Sequence, residues 1–115
     1  MKTMEKFKKS KFRSQFKLDE KDITYLETTG METIKLHAYD FIKRRIAAAD
    51  PKNDGKQTPS QGHPVFKAQH ATATCCRACL KKWHGIEKGR ALKVAEIDTC
   101  VEMILSWIEL KWKKK

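Results

Sequence analysis

Three of the four histidines and three of the four cysteines of this 115-residue chain fall between residues 63 and 84, in HPVFKAQHATATCCRACLKKWH. Thiolate and imidazole are the donors zinc prefers, about four to an ion in a tetrahedron, and donors close in sequence lower the entropy of assembling a site. The segment offers His63, His70, Cys75, Cys76, Cys79 and His84, of which a subset would suffice. The same side chains allow a second chemistry, in which a cysteine beside a histidine acts as an activated thiolate and Arg77 lowers the thiol pKa further. On that view His70, Cys79 and His84 are the catalytic candidates. Packing alone is the third reading. The stretch QHATATCCR is poor core material, because its small residues, the hydroxyls of Thr72 and Thr74 and a cation suit the lining of a polar cleft.

Spacing narrows the choice. Thr74 is a candidate N-cap and Gly85 a candidate C-cap, which predicts a helix from Cys75 to His84. On such a helix Cys79 shares a face with Cys75 and also neighbours Cys76, whereas Cys75 and Cys76 diverge by about 100°. One metal takes all three cysteines only if the helix starts later than Cys76, and His84 joins only if the helix ends before it. No second CxxC or HxxxH follows at finger distance. A metal with an open position could activate water, with nearby cations receiving a phosphate. No carboxylate lies inside 63–84, so a base such as Asp54, Glu87 or Glu96 would have to come from outside.

The elements that must position these groups read as helices. LDEKDITYLETTG begins with Asp19 as cap, Asp22 three residues on and Leu18 as staple, and Gly30 closes it, predicting a helix over 20–29. The next run places Ile34, Ala38, Phe41, Ile42 and Ile46 on one stripe until Asp50-Pro51 stops it. Residues 50–62, DPKNDGKQTPSQG, are a long polar loop. Near the end, Val94, Ile97, Val101, Ile104, Leu105, Ile108 and Trp112 mark the clearest amphipathic helix, with Cys100 on its apolar side as an expected core thiol. His37, alone on its helix, reads as a boundary residue. No strand pattern is convincing, and HPVFKA is the one short candidate for a small hairpin. The expected fold is mainly α: one small helical domain, 1–115, of about four helices.

The net charge of +11 is concentrated at the ends: residues 1–17, a basic arm, carry +6 and residues 107–115 carry +3, of which 111–115 form a basic tail. The histidine and cysteine region is basic too, with Lys67, Arg77, Lys81, Lys82, Lys88 and Arg90 against Glu87 in residues 61–90. These six are candidate phosphate contacts, and nucleic acid is the expected partner. Phe7, Phe12 and Phe16 in the arm either stack on bases or anchor the arm to the helices. Gly85 and Ile86 resemble the start of the hairpin in helix-hairpin-helix DNA binders, although Glu87 stands where its second glycine would be. No apolar run approaches a membrane span, so a cytoplasmic protein with no membrane partner is expected. In a reducing compartment the cysteines are then ligands, reactive thiols or small core residues rather than disulfides.

The stretch NDGKQTPSQGHPVFKAQHATATCCRACLKKWHGI, with FRSQFKL upstream and EIDTCVEMILSWI downstream, resembles a small prokaryotic and phage family known as domain of unknown function 4186. The likeness covers nearly the whole chain and centres on GHPVFxAQHATATCCRxCLxKWH. It implies a bacterial, archaeal or phage origin and carries over no catalytic residues. It also draws in Asn53, Asp54, Lys56 and Gln57, since this loop belongs to the resembling stretch and could close over the cluster. The leading expectation is a metal-binding domain, with zinc as the cofactor and a basic surface facing nucleic acid. The alternatives are a metal- or thiol-dependent enzyme of the phosphodiester hydrolase class, and a structural or protein-interaction domain with buried thiols.

Overall fold

The computed structural model describes Phe7 and residues 9–113. Among these residues lie six helices, α1 (Lys11–Ser14), α2 (Glu20–Thr29), α3 (Met31–Arg45), α4 (Pro64–Ala71), α5 (Arg77–His84) and α6 (Val94–Lys113), and no strand. The fold is mainly α, as the sequence implies. The count exceeds the four or so expected because α1 lies in the basic arm, started by Ser10 accepting from the Arg13 N–H, and because HPVFKA is helical. Pro64 fills the first position of α4, where its missing N–H costs nothing, and His63 caps the turn by accepting from the Val65 N–H at 3.0 Å. The small hairpin considered for that stretch is therefore replaced by a capped helix.

The helix over 20–29 forms as expected. Asp19 accepts from the Asp22 N–H at 2.9 Å and Asp22 returns the favour to the Asp19 N–H at 3.0 Å, a reciprocal capping box. Gly30 ends it at φ +84°, where a side chain would be strained, and lets α3 start at once. The core forms where the apolar stripes meet: Ile34, Ala38, Ile42 and Ile46 from α3 and its end, Val65 and Ala68 from α4, Leu80 from α5, and Val101, Ile104 and Ile108 from α6. The long helix α6 packs against both α3 and α4. Burying each Ile, Val or Leu among these contributes about 1.5–3 kcal/mol. Cys100 sits among them fully buried, and burial pushes its thiol up to about 12, so it is the core residue expected. Among the described residues no helix is long and apolar enough to cross a membrane.

The loop between α3 and α4 is held from an unexpected side. Arg77, the first residue of α5, is 1% exposed and donates to the Ala48 carbonyl at 2.8 Å, the Glu87 carbonyl at 2.6 Å and more weakly to Ile46. The Ala48 and Glu87 carbonyls lie outside the helices and have no helical donor, so the guanidinium supplies one to each. Arg77 was expected on the basic surface; instead it is a buried clamp joining the α3 exit, α5 and the segment beyond. Replacing it by Leu would remove these charge-assisted bonds, at an expected cost of roughly 1.5–3 kcal/mol. Urea denaturation of Arg77→Leu and Arg77→Lys should show the larger loss for Leu, with Lys recovering part of it.

Candidate metal centre

The cysteines meet because α5 starts late. Ala73 adopts φ +58°, which breaks the chain away from α4, and Cys76 is extended at φ −163°. Asp54 Oδ1 takes the Arg77 N–H at 2.9 Å and Cys76 Sγ takes the Cys79 N–H at 3.3 Å, so two of the orphan donors at the start of α5 are satisfied. The helix predicted from Cys75 with Thr74 as cap therefore begins at Arg77 with Cys76 as cap. Freed from a common helix, Cys75 and Cys76 no longer diverge. Cys75, Cys76 and Cys79 place their sulfurs within 4.8 Å of one another. The Cys75 to Cys79 separation is 3.6 Å, against about 3.8 Å between sulfurs in a tetrahedron with metal–sulfur bonds of about 2.3 Å.

Cations and donors around the cluster favour negative sulfur. The Cys79 thiol is held well below its ordinary range by the Cys75 and Cys76 thiols as donors, against the opposing effect of burial, with Arg13 adding to it. Arg13 Nη2 lies 3.1 Å from Cys79 Sγ, while Nη1 donates to the His70 carbonyl. Cys75 is pushed up because its thiol donates to its neighbours. A divalent ion held by the three sulfurs would displace their thiol protons.

The other candidates lie around this cluster or away from it. His70 Nε2 is 3.0 Å from the Thr58 carbonyl, and a carbonyl can only accept, so Nε2 carries the proton. Its ring stacks on Phe16 at 5.4 Å. His84 Nε2 is 2.8 Å from the Thr72 carbonyl and remains inside α5 rather than beyond its end. His63 is elsewhere, with Nε2 3.1 Å from His37 Nδ1 and Tyr25 beside them. Because His63 Nδ1 accepts a backbone N–H, its proton must be on Nε2, and no lone pair remains there for a metal. Thr72 and Thr74, expected in a cleft, are fully buried, their hydroxyls 3.1 Å apart and Thr72 donating to the Ala68 carbonyl.

The 50–62 loop closes on the cluster through Asp54 and Thr58. Asp54 also accepts from Gln57 at 2.9 Å and pairs with Lys88 at 3.5 Å; burial opposes its charge, but these partners and the Arg77 N–H lower its pKa overall. Thr58 donates to the Cys75 carbonyl at 2.8 Å. Asn53 and Lys56 stay exposed. Among the expected phosphate contacts, Lys67 pairs with Asp22 and Asp19, Arg90 makes two 2.8 Å bonds to Glu96, and Lys88 faces Asp54; Lys81 and Lys82 are exposed. Gly85 is the left-handed C-cap of α5, which accounts for the glycine without a helix-hairpin-helix motif. Arg13, Thr58 and His37 carried no spacing signal that would have singled them out, since each gains its role from a distant partner.

His63 yields a pH prediction. Burial, helped by the His37 charge, lowers its pKa to about 4 from an ordinary 6.5. Between these values the unfolded chain binds the extra proton, so this contribution is complete above about pH 6.5 and is lost as pH falls towards 4. Denaturation at pH 7.5 and pH 5 should differ by about 1–2 kcal/mol more in wild type than in His63→Asn, which keeps a capping oxygen but does not titrate.

Residues 1–109 match the family model described as Domain of unknown function (DUF4186). No solved structure matches the chain.

Proposed function

We propose that this chain, which belongs to the DUF4186 family, is a small metal-binding domain whose three cysteines, Cys75, Cys76 and Cys79, hold a zinc ion. The convergence of three sulfurs within 4.8 Å is the observation that carries the reading. Sulfur donors favour zinc over magnesium, calcium or manganese, and three thiolates on a divalent ion leave one negative charge for Arg13 to offset. The ion would tie α5 to the loop before it, and through Arg13 to the basic arm. Such a site adds its binding free energy to folding.

Metal analysis of the purified protein checks the reading. One zinc per chain is expected, with affinity falling by more than about 100-fold on changing Cys75, Cys76 or Cys79 to Ser, and thermal stability falling on chelation. Protein free of zinc, or a melting temperature indifferent to chelator, contradicts it.

Nucleic-acid association belongs to the same proposal. What supports it is a group of exposed cations outside the internal ion pairs, among them Lys81 and Lys82 on α5, and Lys9, Lys11 and Lys17 on the arm. Phe7 packs on Trp83 at 5.4 Å and Arg13 lies 5.1 Å over the same ring, so arm and α5 meet at this tryptophan. About four phosphate contacts to a single strand would cost roughly 50-fold in affinity between about 50 and 200 mM salt. Fluorescence anisotropy with a single-stranded oligonucleotide should show that slope, reduced in the Lys81→Ala, Lys82→Ala double variant; a flat response counts against a nucleic-acid partner.

The thiol-dependent alternative draws on one feature, the half-buried Cys79 sulfur 3.1 Å from a guanidinium. The cluster holds no carboxylate, and Asp54 is spent on the Arg77 N–H.

A further inference from the structure

We infer that His70 supplies the fourth ligand through Nδ1, making the centre a closed site of three cysteines and one histidine rather than one with a position open to substrate. The inference rests on the metal reading above and extends it from binding to role, because a closed tetrahedron is structural and an open one can activate water.

Three observations converge on His70. Its Nε2–H is committed to the Thr58 carbonyl at 3.0 Å, which leaves the lone pair on Nδ1. Ligating histidines characteristically donate the other ring N–H to a carbonyl or carboxylate, which fixes the tautomer and raises ligand basicity. Second, Nδ1 is buried and has no hydrogen-bond partner, a costly condition for a polar atom unless something else uses the lone pair. Third, two separate ties hold His70 to the cysteines. Arg13 spans from the His70 carbonyl to Cys79 Sγ, and Thr58 accepts from the His70 ring while its hydroxyl donates to the Cys75 carbonyl.

The other histidines are less suited. His63 has no lone pair on Nε2 and uses Nδ1 to cap α4. His84 lies at the far end of α5 from its cap, Cys76. The His70 ring is outside the 4.8 Å group of sulfurs, so ligation requires it to shift towards them, keeping the Thr58 bond as its pivot. Phe16 stacks on one face of the His70 ring and Phe12 lies edge-on to it.

Cobalt(II) titration, followed by optical absorption, separates this inference from the one beneath it. Wild type should show a thiolate-to-cobalt charge-transfer band with the strong ligand-field bands of a tetrahedral ion. His70→Ala should keep the charge-transfer band, lose at least about tenfold in affinity and change its ligand-field bands, with added imidazole restoring both. His70→Cys should gain charge-transfer intensity from a fourth sulfur, an outcome readable even where the alanine variant folds poorly. His84→Ala should match wild type. If His70→Ala and His70→Cys both match wild type in spectrum and affinity, or if His84→Ala shows the loss instead, the His70 inference is overturned and the three-cysteine site stands. Absence of the charge-transfer band in wild type overturns both.

Discussion

The point at which α5 begins governs the rest of the structure. Had the helix started one turn earlier, Cys75 and Cys76 would point about 100° apart and no single ion could reach both with Cys79. Asp54 and the Cys76 sulfur take the first free amides of α5, and Ala73 at φ +58° turns the chain sharply after α4. A left-handed alanine costs about 1–2 kcal/mol, which the buried contacts around it must offset. Those contacts include the Gln69 amide donating to the Thr74 carbonyl at 3.2 Å, the Thr74 N–H donating to the Gln69 carbonyl at 2.8 Å and Thr58 donating to the Cys75 carbonyl. The segment between α4 and α5 is therefore held by hydrogen bonds as well as by the burial of Ala73, Cys75 and Cys76.

Charge is used inside the molecule as much as on its surface. Arg77 serves the Ala48 and Glu87 carbonyls outside the helices, Arg13 serves sulfur and a helix-end carbonyl, and Lys67 and Arg90 are tied to acids on or beside the helix starts. Lys67 shows the balance: burial disfavours its charge, but Asp22 and Asp19 outweigh that and raise its pKa. The high net charge thus overstates the exposed positive surface near the cluster. Arg13 also joins the arm, which carries several exposed lysines, to the Cys79 sulfur.

What was legible in the sequence was local. The α2 helix follows from its capping box and glycine, and α3 and α6 follow from apolar residues at helical spacing. The conditional reading of the cysteines was also sound, since the requirement for a helix starting after Cys76 is met. The missing information was held by partners distant in sequence. Asp54 moves the start of α5 from 23 residues away, Arg13 reaches Cys79 across 66, and His37 meets His63 across 26. HPVFKA resisted assignment because a histidine cap and a proline at the first helical position give a weak helix signal over eight residues. Arg77 and Lys67 read as surface cations because composition records charge but not the carbonyls and carboxylates that claim it.

The central claim is that Cys75, Cys76 and Cys79 bind one ion together, and zinc K-edge X-ray absorption of the zinc-loaded protein tests it most directly. The account predicts three sulfur scatterers at about 2.3 Å and one nitrogen at about 2.0–2.1 Å. A shell with fewer than three sulfurs, or one built only of nitrogen and oxygen, would contradict it.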